Sequence, residues 1–214
     1  MSADTDLVLD HVEIARDGMP FLALSATIRA GAVLTIMGPS GSGKSTLLAY
    51  VAGFLRPPFV ARGTVRIGTF DLTRLPAAER RVGLLFQDAL LFPHLSVGGN
   101  IRFALPASVK RAARAEAVDN ALTEVGLAGN TNRDPATLSG GEQARVALAR
   151  VLSAQPRALL LDEPFSKLDA ALKAQIRQLV FDTARERRLP VLLVTHDPDD
   201  AQAAGGAVVR LDEN

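Results

Sequence analysis

The sequence of 214 residues contains no cysteine, and its 24 basic and 23 acidic side chains give a net charge of only +1. The absence of cysteine excludes disulfides, thiolate zinc sites and a cysteine nucleophile. The balanced charge is unlike the strong basic excess of dedicated nucleic-acid-binding proteins. No uncharged apolar segment approaches the ~18 residues of a membrane-spanning helix, and the polar, acidic first six residues are unlike a signal peptide. We therefore expect a chain that neither binds nucleic acid nor crosses a membrane by itself.

The apolar pattern predicts a mixed α/β fold. Residues 1–30 alternate between apolar and polar around Asp17-Gly18, which is typical of an antiparallel hairpin. A further strand pair is expected within residues 63–72. Continuous apolar runs, typical of strands buried on both faces of a parallel sheet, are found at Val33–Met37, Ala158–Leu161 and Val191–Val194. Helical periodicity is found after Lys44 and over Val109–Val125, Gly141–Ser153 and Leu168–Arg188.

The order of these segments predicts one domain, residues 1–214, in which a helical subdomain is inserted into an α/β core. We place the core, with an N-terminal antiparallel β subdomain, in residues 1–88 and 155–214. The inserted helical subdomain then comprises residues 89–154.

A phosphate-binding loop is indicated by residues 38–45, which fit G-x-x-x-x-G-K-[ST] directly after an apolar strand and before a helix. Glycines let successive backbone N–H groups converge on one phosphate, and the helix adds its positive N-terminal end. Lys44 is expected to reach the β- and γ-phosphates, and the Ser45 hydroxyl to bind Mg²⁺. The residues predicted to hold the nucleotide here are Gly38, Pro39, Ser40, Gly41, Ser42, Gly43, Lys44, Ser45 and Thr46.

Two carboxylates follow the buried run Ala158–Leu161, at a strand end of the kind where open α/β sheets bind ligands. Neighbouring strand residues point to opposite sides, so Asp162 and Glu163 can have different roles. Asp162 is the candidate partner of Mg²⁺ through water, and Glu163 is the candidate base that orients the attacking water. His196 follows Val191–Val194 and is expected at the same edge, where it can hydrogen-bond a γ-phosphate and the water.

A second glycine pair opens a later helix, in the sequence Leu138-Ser139-Gly140-Gly141-Glu142. Ser139 is a good N-cap, and the two glycines leave the first helix amides accessible to an anion. This second anion site and Lys44 lie on different predicted subdomains. A symmetric dimer accounts for both, because the second site of each chain can close over the nucleotide held by its partner.

Together these residues resemble the nucleotide-binding subunit of ATP-binding cassette (ABC) transporters. The family's order of motifs is reproduced over essentially the whole chain: the phosphate loop, Gln87, the signature Leu138–Glu142, the acidic pair, the D-loop Ser166–Asp169 and the switch His196. The segment Phe92–Val97 is similar to the importer branch that serves maltose, molybdate, iron, polyamines or thiamine. The resemblance implies a P-loop NTPase (RecA-like) core and an ATPase that powers solute import through separate permease subunits.

The resemblance also implies cofactors and partners. ATP and Mg²⁺ would be bound, the metal by Ser45, Gln87 and Asp162. Gln87 would sense the γ-phosphate and connect the core to the helical subdomain, which would receive a cytoplasmic helix of the permease. The residues implied at the interface of an ATP-bound homodimer are Ser139, Gly140, Gly141 and Asp169, and the catalytic residues are Glu163, His196, Gln87 and Lys44. The chain would lie peripherally on the cytoplasmic face of the inner membrane, in a system with a solute-binding protein outside the cytoplasm.

The sequence departs from the family's pattern near the nucleotide base and at its C-terminal end. The family usually places an aromatic residue about 23 residues before the phosphate loop, where it stacks on adenine. Ala15 occupies this position, and Phe21 is the only nearby aromatic residue. We expect weak discrimination between ATP and GTP unless Phe21 or the partner subunit supplies the stacking. The chain ends shortly after the last predicted strand, so we expect no C-terminal regulatory domain.

Three other functions are compatible with part of the pattern. A soluble ABC-type ATPase acting on nucleic acid or ribosomes would carry a long coiled-coil or zinc-bearing insertion or a second cassette, which the sequence lacks. An unrelated P-loop kinase or GTPase leaves the signature unexplained, and the guanine-reading Asn-Lys-x-Asp is absent. The ATPase of an exporter would have the same phosphate-handling residues, and only Phe92–Val97 argues against it. The solute itself is not predicted, because the permease and the binding protein select it.

Overall fold

The computed structural model describes residues 5–211, and the chain divides into two compact units. The first unit comprises the chain up to Leu84, Arg157–Glu163 and the chain from Phe181 onwards. The second unit comprises Leu85–Pro156 and Pro164–Val180.

Strands and α-helices alternate along much of the described chain. The strands are β1 (Leu7–Arg16), β2 (Met19–Ile28), β3 (Val33–Met37), β4 (Phe59–Ile67), β5 (Phe70–Asp71), β6 (Val82–Phe86), β7 (Ala158–Asp162), β8 (Val191–Thr195) and β9 (Ala207–Arg210). The helices are α1 (Lys44–Ala52), α2 (Ala77–Arg80), α3 (Val97–Ala104), α4 (Arg114–Glu124), α5 (Gly140–Ser153), α6 (Ala170–Glu186) and α7 (Pro198–Ala204). Among residues 5–211, no helix combines the length and apolar character that crossing a membrane requires.

One sheet is antiparallel, with the strand order β2-β1-β4-β5. The turn between β1 and β2 consists of Asp17 with φ 51° and Gly18 with φ 81°, and Arg16 pairs with Met19 across it. Two successive residues with positive φ form the tight turn whose twist suits a hairpin. One face of β1 is buried and apolar: Leu7, Leu9, Val12 and Ile14. The alternation in the sequence therefore reflects a sheet with one face in the core.

The other sheet has the order β6-β7-β8-β3-β9. The pairs β7–β8, β8–β3 and β3–β9 are parallel. Every residue of β3 and β8 is buried, as expected for a parallel sheet covered on both faces. Met37 pairs with Thr195, and Asp162 with Val194, so the carboxyl ends of β3, β7 and β8 lie at one edge. Open α/β sheets bind their ligands at this edge.

In the second unit, α3 packs against α4 and α5. Ile101 of α3, Leu122 of α4 and Val146 of α5 are fully buried. Asn100 is also fully buried, and its side-chain amide bonds both the N–H and the carbonyl oxygen of Phe92. The helices therefore support the loop that precedes α3.

The α/β fold class predicted from the sequence is confirmed, and the bounds of some elements differ. The three apolar runs form β3, β7 and β8, and the alternating segment forms β1 and β2. The helix predicted from Val109 begins at Arg114, because the Arg114 guanidinium holds the preceding turn through the carbonyls of Pro106 and Val109. The strand pair predicted within residues 63–72 begins earlier, since β4 starts at Phe59 and pairs with β1 from that residue.

Candidate nucleotide-binding site

Residues 38–45 connect β3 to α1 in the first unit. Gly43, which precedes α1, has φ 95°, and a Cβ there would lie 2.8 Å from the ring of Phe21. A Cβ on Gly38 would lie 2.7 Å from the Ser42 hydroxyl oxygen and 2.8 Å from the carbonyl oxygen of Leu211. Side chains at both positions would collide with their neighbours, so glycine is required for the chain to curl this tightly.

Lys44 is folded over this loop. Its ammonium donates hydrogen bonds of 2.7 Å to the carbonyl oxygens of Gly38 and Pro39, and the residue is 7% exposed. The hydroxyl oxygen of Ser42 is buried and has no hydrogen-bond partner within the described chain. Buried polar atoms are normally paired. A hydroxyl and an ammonium on one tight loop therefore fit the oxygen atoms of a bound phosphate.

Ser45 and Asp162 place two oxygen atoms beside the phosphate loop. The Ser45 hydroxyl donates to Oδ1 of Asp162 over 3.1 Å. Burial raises the pKa of Asp162, and the hydrogen bond from Ser45 and the charge of Lys44 oppose that rise. Within residues 5–211, no three His, Cys, Asp or Glu residues form a group that could hold a metal. The neighbouring oxygens of Ser45 and Asp162 fit Mg²⁺, which is commonly bound by one or two protein oxygens together with phosphates and water.

Glu163 and His196 meet at the edge of the parallel sheet. Glu163 follows β7 with φ 46°, and its amide donates to the carbonyl oxygen of Val194 over 2.9 Å. Oε1 of Glu163 lies 3.1 Å from Nδ1 of His196, with side chains that are 27% and 62% exposed. The turn after β8 is fixed by the buried Thr195 hydroxyl, which donates to Asp200 over 2.7 Å. The arrangement can hold a carboxylate base beside a proton-carrying imidazole.

A groove of ≈ 740 Å³ lies along β1, β2 and β4, and its lining includes Ala15 and Phe21. The Phe21 ring also lies beside Gly43 of the phosphate loop. Phe21 packs on Phe59, with ring centroids 5.3 Å apart. The aromatic ring that the sequence lacks at Ala15 is therefore present nearby as Phe21.

In the second unit, Ser139 begins α5 through a capping box. The amide of Glu142 donates to Oγ of Ser139 over 3.3 Å, and Oε2 of Glu142 accepts from the Ser139 amide over 2.8 Å. Arg133 donates to the other carboxylate oxygen over 2.8 Å. The Ser139 and Arg133 hydrogen bonds hold the pKa of Glu142 below its usual value. A Cβ on Gly141 would lie 2.5 Å from the side chain of Leu172, so a larger residue here would force that side chain to move.

A cavity of ≈ 170 Å³ in the second unit brings motif residues together. Its lining includes Gln87, Gly140, Lys167 and Leu168. Asp169 lies next along the chain, and its Oδ1 accepts a hydrogen bond of 3.0 Å from an amide in the first turn of α6. The predicted glutamine, signature and D-loop segments therefore lie side by side within this unit.

The predicted site residues fall into two groups, one in each unit. The first unit holds residues 38–46, Asp162, Glu163 and His196, and the second holds Gln87, Ser139, Gly140, Gly141 and Asp169. Sequence reasoning missed Arg133, which holds Glu142, and Phe59, which supports Phe21. Both act through tertiary contacts and belong to no motif, although an arginine six positions before Ser139 is a local signal that could have been examined.

Comparison with known proteins identifies the family of the chain. Residues 21–166 match a family model described as ABC transporter. The chain is 52% identical over 177 residues to the uncharacterised ABC transporter ATP-binding protein YnjD of Escherichia coli, covering 83% of this chain and 82% of that protein. It is 43% identical over 211 residues to the thiamine import ATP-binding protein ThiQ of Rhizobium meliloti, covering 98% of this chain and 87% of that protein. The structure of cbiO1 from Clostridium perfringens, part of the ABC transporter complex cbiONQ, superposes with a TM-score of 0.83 at 28% identity over 97% of this chain and 85% of that one.

Proposed function

The chain belongs to the ABC transporter family as an ATP-binding subunit that hydrolyses ATP, and we propose that it powers solute import through separate permease subunits. The observation that carries the chemistry is the single sheet edge at which Ser45 bonds Asp162 and Glu163 bonds His196. The phosphate loop precedes Ser45 directly. This edge therefore offers a phosphate site, a metal site and a base.

We propose that the loop and Lys44 bind the ATP phosphates. The ammonium that now bonds the carbonyls of Gly38 and Pro39 can exchange those partners for phosphate oxygens, which form stronger charge-assisted hydrogen bonds. The buried Ser42 hydroxyl supplies a further donor. Ser45 and Asp162 would hold Mg²⁺. When bound, Mg²⁺ neutralises charge on the phosphates during transfer.

Glu163 acts as the general base in this proposal. Its carboxylate accepts a proton from a water molecule as the water oxygen bonds to the γ-phosphorus and the bond to the leaving ADP oxygen breaks. His196 contacts this carboxylate through Nδ1 over 3.1 Å. It therefore orients the base and can address the γ-phosphate with its other ring nitrogen. The products are ADP and phosphate.

The second anion site requires a second chain in this proposal. Ser139 and the amides of Gly140 and Gly141 begin α5, where an N-terminal helix end favours an anion. In a symmetric homodimer, this end of each chain would close over the ATP held by the other, and Asp169 would cross the interface. ATP binding would close the dimer, and hydrolysis would reopen it.

The permease partner and the place of action follow from the importer assignment. We propose that residues 89–154 form the helical subdomain that receives a cytoplasmic helix of the permease, with the chain peripheral to the cytoplasmic face of the membrane. The segment Phe92–Val97 and the naming of the relative ThiQ as a thiamine import protein support import. A solute-binding protein outside the cytoplasm is expected in the same system. The solute is chosen by those components.

A capture experiment tests this function. Tagged Glu163→Gln protein, which should hold ATP without hydrolysing it, is mixed with detergent-solubilised membranes of the source organism with and without MgATP. The matched control adds Lys44→Ala to the same chain, so that ATP is no longer retained. ATP-dependent recovery of a polytopic membrane protein is expected. Recovery of only soluble protein or nucleic acid would favour a soluble ABC-type ATPase instead.

A further inference from the structure

Helix α1, which begins at Lys44 within the phosphate loop, brings few stabilising side chains of its own to either end. Its N-cap is Gly43, which has no side-chain atom to bond the first helix amides. Residues 49–52, its last turn, include no lysine, arginine or histidine in the sequence. The helix has nine residues, and isolated helices of this length are marginal in water. Groups outside the helix must therefore fix its ends.

Arg80, the last residue of α2, holds the C-terminal end of α1. Its Nη1 atom donates hydrogen bonds to the carbonyl oxygens of Tyr50 over 2.8 Å and Val51 over 2.9 Å. Carbonyls in the last turn of a helix lack the usual partner four residues further on. Gly53 follows the helix with φ 84°, and a Cβ there would lie 2.6 Å from Nε of Arg80. A larger residue at this position would therefore push the guanidinium away from the helix end.

The same guanidinium connects α1 to the antiparallel sheet. Nε donates to the carbonyl oxygen of Leu75, and Nη2 donates to that of Thr73, both over 2.9 Å. The Thr73 hydroxyl oxygen in turn accepts a hydrogen bond of 2.9 Å from the Val65 amide of β4. The Tyr50 hydroxyl adds a second connection, to a carbonyl oxygen of β4 over 3.0 Å. Because Arg80 is only 5% exposed, its four hydrogen bonds are shielded from competing water.

The position of the Arg80 charge also matters. A helix carries partial negative charge at its C-terminal end and partial positive charge at its N-terminal end. All four hydrogen bonds of Arg80 go to backbone carbonyl oxygens. Burial lowers the pKa of the guanidinium, which still carries its proton at neutral pH. The buried charge therefore stabilises the negative end of the helix whose positive end belongs to the phosphate loop.

We propose that Arg80 is a positioning residue for ATP binding, which fixes one end of α1 and thereby holds Lys44, Ser45 and the first helix amides in the arrangement that binds phosphate. This inference rests on the proposed function of the phosphate loop. At 1.5 Å per residue, Lys44 and Tyr50 are only about 9 Å apart along the helix axis. A short helix released at one end tilts or frays at the other.

The expected consequence is a change in the population of the binding arrangement. If one molecule in about ten retains this arrangement without Arg80, the apparent dissociation constant for MgATP rises about tenfold. Bound phosphates then hold the N-terminal end of α1 themselves, so at saturating ATP most molecules regain the arrangement. We therefore expect KM to rise about tenfold and kcat to change by less than about twofold.

The test removes the contact in two independent ways in the purified full-length chain. Arg80→Met deletes the guanidinium, and Arg80→Lys keeps the charge without the planar set of donors. Gly53→Ala keeps Arg80 and places a methyl group 2.6 Å from its Nε. Isothermal titration calorimetry measures the affinity for MgATP, and steady-state hydrolysis gives kcat and KM. Urea denaturation measures the stability of each variant, so that all are compared where they are folded.

The chain offers a matched control for each type of substitution. The Arg114 guanidinium also donates four hydrogen bonds to backbone carbonyl oxygens, but in the second unit. Arg114→Met should therefore lower stability and leave the MgATP affinity unchanged. Gly205 follows α7 with φ 66°, and a Cβ there would meet no atom of the described chain within 4 Å. Gly205→Ala thus imposes the same backbone strain as Gly53→Ala without displacing a guanidinium.

We expect MgATP to bind about tenfold more weakly to Arg80→Met and Gly53→Ala, with partial recovery in Arg80→Lys and normal affinity in both controls. Affinity in the Arg80 variants equal to that of Arg114→Met, or a lower kcat with an unchanged KM, would overturn the positioning role. If Arg80→Met does not fold, the comparison of Gly53→Ala with Gly205→Ala decides, and equal affinities there would overturn it too. Failure of the unmodified chain to bind MgATP would instead contradict the proposed function.

Discussion

The two units use polar side chains in different ways. In the first unit, Lys44 bonds carbonyls only five and six positions away, at Gly38 and Pro39. In the second unit, Arg150 bonds the carbonyls of Ala89 and Leu90, some sixty positions away. The proposed phosphate loop is thus held by a lysine close to it in sequence, whereas the loop after β6 is held by an arginine far from it in sequence. Substitutions at the proposed catalytic residues of the first unit should therefore reduce ATP hydrolysis most, and substitutions at the loop contacts of the second unit should mainly lower its stability.

Glu163→Gln in the first unit should have the largest effect. The substituted amide cannot accept a proton, and general base catalysis contributes about 10²–10⁴-fold. We expect hydrolysis to slow at least about a hundredfold while MgATP binding is retained and a closed dimer accumulates. Single-turnover kinetics and size-exclusion chromatography with ATP measure the two effects. Turnover like that of the unmodified chain would remove Glu163 from the role of base.

Lys44→Ala should have the next largest effect, a lower affinity for ATP. Loss of a charged hydrogen bond costs about 1.5–3 kcal/mol, which corresponds to roughly ten- to a hundredfold in the dissociation constant for ATP. Isothermal titration calorimetry with ATP measures the dissociation constant. Lys110→Ala, which changes an exposed lysine of the second unit, is the control and should bind normally. Equal affinity in both variants would contradict the contact between Lys44 and the phosphates.

The same contrast explains which features the sequence predicts. The phosphate loop and the acidic pair follow buried apolar runs, so the strands and the position of these residues at the strand ends were predictable from patterns within a few residues. The strands β6 and β9 were missed because β6 mixes buried and half-buried positions and β9 is a four-residue, largely exposed edge strand. Helices α3 and α7 have only eight and seven residues, too few for a clear periodicity.

Single polar residues of the second unit were not predictable as structural elements. Asn100, Arg133 and Arg150 each stand in an unremarkable helical or loop context, and their partners are known only after folding. Phe21 was partly predictable. The sequence identifies it as the only aromatic residue near Ala15, and the structure adds its contact with Gly43.

Asn100→Ala tests whether a single buried polar side chain stabilises the second unit. The buried amide bonds the backbone of Phe92 at two atoms and the carbonyls of Leu95 and Ser96. Removing it leaves buried groups unpaired, which should lower the free energy of unfolding by about 2–3 kcal/mol. Urea denaturation measures the change, with Asn120→Ala on the exposed side of α4 as control. A loss no greater than that of the control would show that this loop is not held by Asn100.

Phe21→Leu should have a smaller effect, on nucleotide selection. An aromatic face stacks on any purine and contributes roughly 1–3 kcal/mol per base, so binding of ATP and GTP should weaken together, by about fivefold or more. In the unmodified chain, the ratio of kcat/KM for ATP over GTP should stay below about a hundredfold. Phe54→Leu, which changes a residue that is 52% exposed, is the control. A larger ATP preference, or a Phe21→Leu variant with normal affinity, would exclude Phe21 as the base platform.

Glu142→Gln should have the smallest effect, a change in how stability depends on pH. The Ser139 and Arg133 hydrogen bonds favour the ionised carboxylate and lower its pKa from 4.5. A lowered pKa stabilises the folded state above the unfolded value and loses this contribution as pH falls through the folded value. Because glutamine can still form the capping box, the unmodified chain should melt about 1–3 °C higher than the variant near pH 7. This difference should vanish as the pH falls below 4.5, whereas Glu186→Gln at the exposed end of α6 should show no such trend. A difference that persists at low pH would show that the charge of Glu142 does not account for it.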